Sequence, residues 1–201
     1  MNPLRDSFNR FTGKTRFVVC RLFIHLEGSE VAPMLGVLNQ AGRQAIEAEG
    51  DLEVLGEGLV DICQNLLQLN TYWQSTANEG DVFWDEGEAG DYANELFTDS
   101  ASRYLSEPDF GTTLEGQEER FSLPITRNLI VMIAVAFEGE VPALETCLTS
   151  VETVEDGLKA LINLHYQEKY RAIQVQFSPA QLGDELSNDQ LLLNFPELIP
   201  L

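Results

Sequence analysis

The sequence predicts an α+β domain in which a small sheet of three or more strands packs against about four to five helices in two layers. Segments whose apolar residues recur at every second position alternate with segments whose apolar residues recur every three or four positions. These are the periods of strands and of helices. The 201 residues suffice for a buried core, and an apolar fraction of 44% with 22% charged residues is ordinary for a globular protein.

The first half of the chain predicts one strand followed by three helices. Arg16 to Leu26 alternates with a period of two, and one of its faces is entirely apolar. Helical spacing then runs over residues 31–48, over 52–69 after the capping residue Asp51, and over 89–104. The residues between the last two helices, rich in acids and aromatic rings, are predicted to form a loop.

The second half predicts two further strands after an exposed acidic connector at residues 107–124. Asn128 to Glu138 is apolar at nearly every position, which is typical of a central strand covered on both faces. A helix follows from Thr153, with Asp156 three residues later in the spacing of a capping box. The strand from Tyr170 to Phe177 comes next. The intervening residues are long enough for a crossover, so these two strands are predicted to form a parallel pair.

The charge is strongly negative, with 12 Lys and Arg residues against 33 Asp and Glu residues and a net charge of −21. Such a surface repels phosphate backbones, so we predict no nucleic-acid partner. Cys20, Cys63 and Cys147 are far apart and lie in apolar runs, which predicts buried, reduced thiols and a reducing compartment. No apolar run approaches the roughly 20 residues that a transmembrane helix needs.

Residues 1–14 are predicted to form a basic amphipathic segment, separate from a single domain over residues 15–201. Residues 1–26 carry a net charge of +4, whereas residues 27–201 carry −25. The apolar members of the segment, at helical spacing, are Leu4, Phe8 and Phe11, and the basic members are Arg5, Arg10 and Lys14. We interpret the segment as a weak anchor for an anionic membrane or for an acidic protein surface. The alternative is that its apolar residues pack on the domain itself.

Four aromatic residues form the candidate partner-binding site. Tyr72, Trp73, Phe83 and Trp84 cluster around the predicted loop and are surrounded by acids. Trp and Tyr dominate the energetics of protein interfaces, so this cluster is interpreted as an anchor for a partner with a basic rim. The alternative interpretation is that the four rings cover the edge of the core.

No catalytic or metal-binding pattern is predicted. His25 and His165 are the only two histidines, and both are assigned structural roles. The acids from Glu79 to Glu95 lack the alternating ligands and central glycine of an EF-hand loop, which favours a solvated acidic face over a divalent-cation site. The sequence therefore predicts no catalytic residues, no metal and no cofactor.

The last thirty residues resemble the C-terminal signature of the domain-of-unknown-function family DUF1517. Ser187 and Gln190 have capping-box spacing and predict a last short helix from Asn188 to Leu193. The resemblance rests on a strand ending in an aromatic-Ser-Pro turn, an Asp-x-Leu-Ser cap and a closing Leu-Leu-x-x-x-Pro-x-Leu pattern. These residues are Phe177, Ser178 and Pro179, then Asp184, Leu186 and Ser187, and finally Leu191, Leu192, Pro196 and Leu198.

The resemblance implies a role without a mechanism. Members of the family occur in cyanobacteria and plastids, and one plant member is a chloroplast-membrane protein needed for acclimation to fluctuating light. It implies a non-enzymatic accessory or regulatory protein of a photosynthetic cell that binds a protein partner. The expected location is cytoplasmic, peripheral to the thylakoid or another inner membrane. A second class stays open, namely a soluble enzyme or a small-molecule or ion-sensing module.

Overall fold

The computed structural model describes residues 13–103, 127–179 and 186–201. These three ranges form an α+β fold, as predicted, with five strands and six α-helices. The strands are β1 Phe17–Glu27, β2 Trp73–Phe83, β3 Asn128–Glu138, β4 Tyr170–Ser178 and β5 Ile199–Pro200. The helices are α1 Ala32–Glu47, α2 Leu52–Gln68, α3 Glu86–Ser102, α4 Pro142–Glu145, α5 Val151–Tyr166 and α6 Asn188–Asn194.

The five strands form one antiparallel sheet in the order β4-β3-β1-β2-β5. The predicted parallel pairing of β3 with β4 is therefore wrong. The segment after β3 first runs back along the sheet, where Thr146 and Leu148 bond the side chain of Asn78 in the middle of β2. Helix α5 then returns to the end at which β3 finished, so β4 begins with Tyr170 opposite Phe137. The connection runs along the sheet once in each direction instead of crossing it once, and β3 and β4 are therefore antiparallel.

Strand β2 occupies the stretch that was predicted to be a loop. Its residues are mostly polar and include Asn78 and Gly80, so local propensity does not favour a strand. Pairing with β1 makes it one, in a ladder from Leu26 opposite Trp73 to Phe17 opposite Phe83. The glycine is required for this close pairing, because a Cβ atom at position 80 would lie 2.6 Å from a carbonyl oxygen of β1.

Helices cover both faces of the sheet, so the fold has three layers instead of the predicted two. The even-numbered residues of β1 face α1, α2 and α5 in the main core; we name this side the α2 face. The odd-numbered residues face α3 and the C-terminal residues around α6; we name this side the α3 face. Phe17, Val19 and Phe23 on the α3 face are buried, as are the β1 residues on the α2 face. Both faces of β1 are therefore covered by helices, which the alternating pattern alone did not predict.

Side-chain caps begin four of the described helices, including α3, where Asp85 accepts a hydrogen bond from the N–H of Glu88. Asp51 accepts hydrogen bonds from the first backbone N–H groups of α2, as predicted. Ser187 and Gln190 form the predicted capping box of α6. The predicted capping box of α5 is wrong by three residues, because Ser150 and Thr153 exchange the two hydrogen bonds and the helix therefore starts at the next residue after Ser150.

Two apolar residues whose periodic positions indicate the core lie nearer the surface. Ile46, near the end of α1, is 80% exposed. Val175 on the edge strand β4 is half-buried. The predicted connector at 107–124 lies outside the described residues.

Candidate functional site

The four predicted aromatic residues do not form one patch. They divide between the two ends of β2, which are about 34 Å apart for a strand of this length. Trp73 is 5% exposed and packs in the main core, so its assignment to a partner site is wrong. Tyr72 is half-buried, and its ring lies directly over Gly28, where a Cβ atom would approach Cδ1 to 2.8 Å. This end of β2 is part of the core edge.

The other end of β2 carries an aromatic cluster that includes a residue not predicted. Phe83 and Trp84 are half-buried, and so is Tyr92 on α3. The ring centroids of Phe83 and Tyr92 are 5.3 Å apart, with an interplanar angle of 42°. In the sequence, Tyr92 is one of the apolar positions in the helical spacing over residues 89–104, and nothing else distinguishes it. Its place beside Phe83 follows from β2 being a strand that leads directly into that helix.

Carboxylates surround this aromatic cluster. Partial burial raises the pKa of the Tyr92 hydroxyl, and the charges of Glu79, Asp81 and Glu95 raise the pKa further, whereas Arg21 acts in the opposite direction. Carboxylates from both β2 and α3 thus raise the pKa of the same tyrosine hydroxyl. We name Glu79, Asp81, Phe83, Trp84, Tyr92 and Glu95 the acidic-aromatic surface.

A buried arginine fixes the position of this surface. Arg21, in the middle of β1 on the α3 face, is 2% exposed. Its Nε donates to Oε1 of Glu79 over 2.9 Å, and Nη1 lies 2.6 Å from Oδ2 of Asp99. Nη1 also donates to Oγ of Ser100 and to the carbonyl of Leu96. One guanidinium group therefore ties β1, β2 and the last turns of α3 together.

A second arginine extends the network toward the C-terminus. The guanidinium carbons of Arg21 and Arg103 lie 4.7 and 5.5 Å from the centroid of the Phe23 ring. Arg103 pairs with Asp99, which it shares with Arg21, and with Glu197 beyond α6. Burial alone would raise the pKa of Asp99, but the hydrogen bond and charge of Arg21, with those of Arg103, hold that pKa below its usual value.

His25 joins three strands at the opposite end of the α3 face. Its Nδ1 lies 3.1 Å from Oγ of Ser75, and its Nε2 lies 3.0 Å from Oδ1 of Asn128. The amide nitrogen of Asn128 donates to the carbonyl of Leu186. Its oxygen therefore accepts a hydrogen bond from Nε2–H, which makes Nδ1 the acceptor for the Ser75 hydroxyl. The arrangement holds the C-terminal segment on the sheet.

The burial of His25 predicts a pH dependence of stability. Burial lowers the pKa of this imidazole below 6.5, against the opposing effects of Asn128 and Glu27. The unfolded chain therefore binds the proton more tightly, and stability falls as the pH drops below 6.5 through the lower folded-state value. Urea midpoints measured across this range should fall more steeply for the native protein than for His25→Gln. Equal slopes would contradict this role of His25.

His165 packs against a helix backbone. A Cβ atom at Gly56 of α2 would lie 2.3 Å from Nδ1 of His165, so the ring of this α5 residue occupies the space that the glycine leaves. This contact joins α5 to α2 on the α2 face.

Five of the six residues assigned to the N-terminal anchor lie outside the described residues. These are Leu4, Arg5, Phe8, Arg10 and Phe11. Lys14 is described and exposed. The described chain enters β1 at Phe17, which pairs with Phe83 of the acidic-aromatic surface.

Within the described residues, no group of three or more His, Cys, Asp or Glu side chains is arranged to hold a metal ion. No helix in the same residues is long and apolar enough to cross a membrane. Cys147 is exposed, so its predicted burial is wrong. Cys20 and Cys63 are buried as predicted, and burial raises the pKa of the Cys20 thiol to about 12. These two thiols are therefore protonated and unreactive at neutral pH.

The chain is thus an α+β protein whose antiparallel sheet carries an acidic and aromatic surface at the end of β2. The family model described as a protein of unknown function, DUF1517, matches residues 16–201, and the chain belongs to that family. This confirms the resemblance of the C-terminal residues. No curated protein and no solved structure matches the chain.

Proposed function

We propose that this protein is a non-enzymatic accessory or regulatory protein that binds a basic segment of a partner protein on its acidic-aromatic surface. Following the family resemblance, we place it in a photosynthetic cell, at or near the thylakoid or another inner membrane. The observation that carries the proposal is the half-buried pair Phe83 and Tyr92, whose rings lie among the carboxylates of Glu79, Asp81 and Glu95.

The composition of the surface supports a cationic partner. Aromatic rings with exposed area supply apolar contact and also attract Arg and Lys through their π faces. Carboxylates around the rings add complementary charge, which mainly raises the association rate and the specificity. The net charge of −21 supplies long-range attraction in the same direction. Binding of this kind should weaken as the salt concentration rises.

The surface is also held rigid before binding. Glu79 is fixed by the buried guanidinium of Arg21, and the same group holds the end of α3, the helix that carries Tyr92. A preformed surface loses less conformational entropy when a partner binds. Rigid support thus favours binding over a purely solvating role for these acids.

The combined change Tyr92→Ala with Glu95→Lys is expected to reduce partner recovery at least about fivefold, because it removes an aromatic contact and reverses one charge. The tagged protein would be purified from lysed native cells at low salt, and its partners would be quantified by mass spectrometry. Tyr166→Ala is the matched control, since this ring is 69% exposed at the far end of α5. Recovery of the same partners in equal amounts from both variants would refute the proposal.

A further inference from the structure

The outer edge of β2 is only partly covered. Strand β5 pairs with Ser75 and Thr76, and the N–H of the next residue, Leu201, donates to the carbonyl of Gln74 over 3.0 Å. Beyond Thr76, β2 has no strand partner on this side among the described residues. Backbone groups alternate between the two sides of a strand, so those at 78, 80 and 82 point to the uncovered edge.

We propose that the partner segment binds as an added, extended strand along this edge of β2, next to the acidic-aromatic surface. This inference rests on the proposed function and specifies the form of its ligand. Main-chain hydrogen bonds to the β2 edge would provide affinity, and side-chain pockets on either side would provide specificity.

A groove lies on the α2 face of the sheet, beside the uncovered part of β2. Its volume is about 210 Å³, and its two walls are β2 from Asn78 to Val82 and the segment from Leu144 to Cys147. Val18 and Cys20 of β1 also line it, on the α2 face. The side chain of Asn78 bonds the backbone of Thr146 and Leu148 and so holds the two walls together at one end. Gly80 lies in the middle of the β2 wall, where its lack of a side chain lets β2 approach β1 closely.

The edge already accepts a strand elsewhere along its length. The protein's own β5 pairs antiparallel with the first part of β2, and β2 keeps its register with β1 through to Phe83. The uncovered part is therefore regular strand, continuous with the part that binds β5. The N–H of Val82 is occupied by its neighbour Asp81, whose Oδ1 accepts this bond over 2.7 Å. A side-chain bond of this kind can be exchanged for a main-chain bond to a partner.

Charge selects a basic occupant over a second copy of this chain. Two copies of β2 side by side would bring Glu79 and Asp81 of each close to those of the other, and like charges on paired strands are destabilising. In a basic strand, alternate side chains would reach these carboxylates and the ring of Tyr92 on the α3 face. The intervening side chains would enter the groove beside Val82 and Leu144 on the α2 face. The ligand is thus an extended segment of alternating basic and aliphatic residues.

The test uses an acetylated, amidated nonapeptide of alternating arginine and valine as the probe, with binding measured by calorimetry on the full chain. Val82→Pro removes one outward N–H and should weaken binding about tenfold. Val82→Ala is the matched control, because it loses the same side chain but keeps the N–H, and its affinity should stay near that of the native protein. Thermal unfolding would establish that both variants fold.

A second probe addresses the same bonds without changing the protein. Methylation of alternate backbone nitrogens in the peptide removes the donors of one edge and should also weaken binding about tenfold. If Tyr92→Ala with Glu95→Lys weakens binding while Val82→Pro and the methylated peptide bind normally, the added strand is refuted and the proposed function stands. If the probe binds no better than a peptide of alternating glutamate and valine, both fail.

Discussion

Replacement of Ile133 by Asp is expected to abolish soluble, folded protein. Ile133 is in the middle of β3, and it is completely buried in the main core. A carboxyl group there has no partner, and burying a polar group without a hydrogen bond costs about 2–7 kcal/mol even when it is neutral. Loss of the buried isoleucine adds about 1.5–3 kcal/mol. The sum is comparable with the net stability of about 5–15 kcal/mol typical of a domain.

Soluble expression and circular dichroism would measure this effect. Ile133→Val should remain folded, since such a change costs only about 0.5–1.5 kcal/mol. Ile46→Asp is the matched control for the new charge, because Ile46 is exposed on α1. A folded Ile133→Asp protein with the native melting temperature would show that β3 is not a central strand.

The sequence predicted the elements whose own residues carry a strong period. The bounds predicted for β3 match the structure, β4 differs by one residue at its end, and β1 is shifted by one residue at both ends. Asp51 and Ser187 cap α2 and α6 as predicted. In each case the signal is local, since apolar periodicity and capping depend on residues a few positions apart.

The elements that sequence reasoning missed depend on contacts between distant residues. Strand β2 has no periodic pattern and exists because β1 pairs with it. The third layer depends on Arg21, a charged residue within the apolar pattern of β1. Arg21 is buried because its partners, Glu79 and Ser100, lie 58 and 79 residues away in the sequence. The antiparallel arrangement of β3 and β4 depends on the path of the chain between them, which no pattern encodes.

The candidate site was missed in part for the same reason. Phe83 and Trp84 were identified because aromatic residues among acids stand out in a sequence. Trp73 shares that signal but faces Leu26 in the core, and sequence neighbours alone do not distinguish the two ends of a strand from one loop. Tyr92 becomes part of the surface only once β2 and α3 are placed side by side.

Arg21→Met is expected to lower the free energy of unfolding by about 2–3 kcal/mol. Removal of one partner from a buried ion pair costs about 3–5 kcal/mol when the remaining charge is left without water. Here the side chains of Glu79 and Asp99 are 43% and 41% exposed, so water can solvate them and the cost is smaller. The methionine keeps most of the apolar stem, so the lost bonds to β2 and α3 account for the effect.

Urea denaturation would measure the change, with Arg171→Met as the matched control. Arg171 pairs with Glu138 on the surface, with 47% of its side chain exposed, and such pairs contribute about 0–1 kcal/mol.

The pH dependence of the unfolding free energy provides a second test of Arg21. The pKa of Asp99 is lowered in the folded protein, so its stabilisation is present above the unfolded value of 3.8 and is lost as the pH falls through the folded value. Arg21→Met removes the main cause of that lowering, so the stability difference from the native protein should shrink in the same acid range. A difference that stays constant into acid, or an effect no larger than that of Arg171→Met, would show that Arg21 does not hold β2 and α3 together.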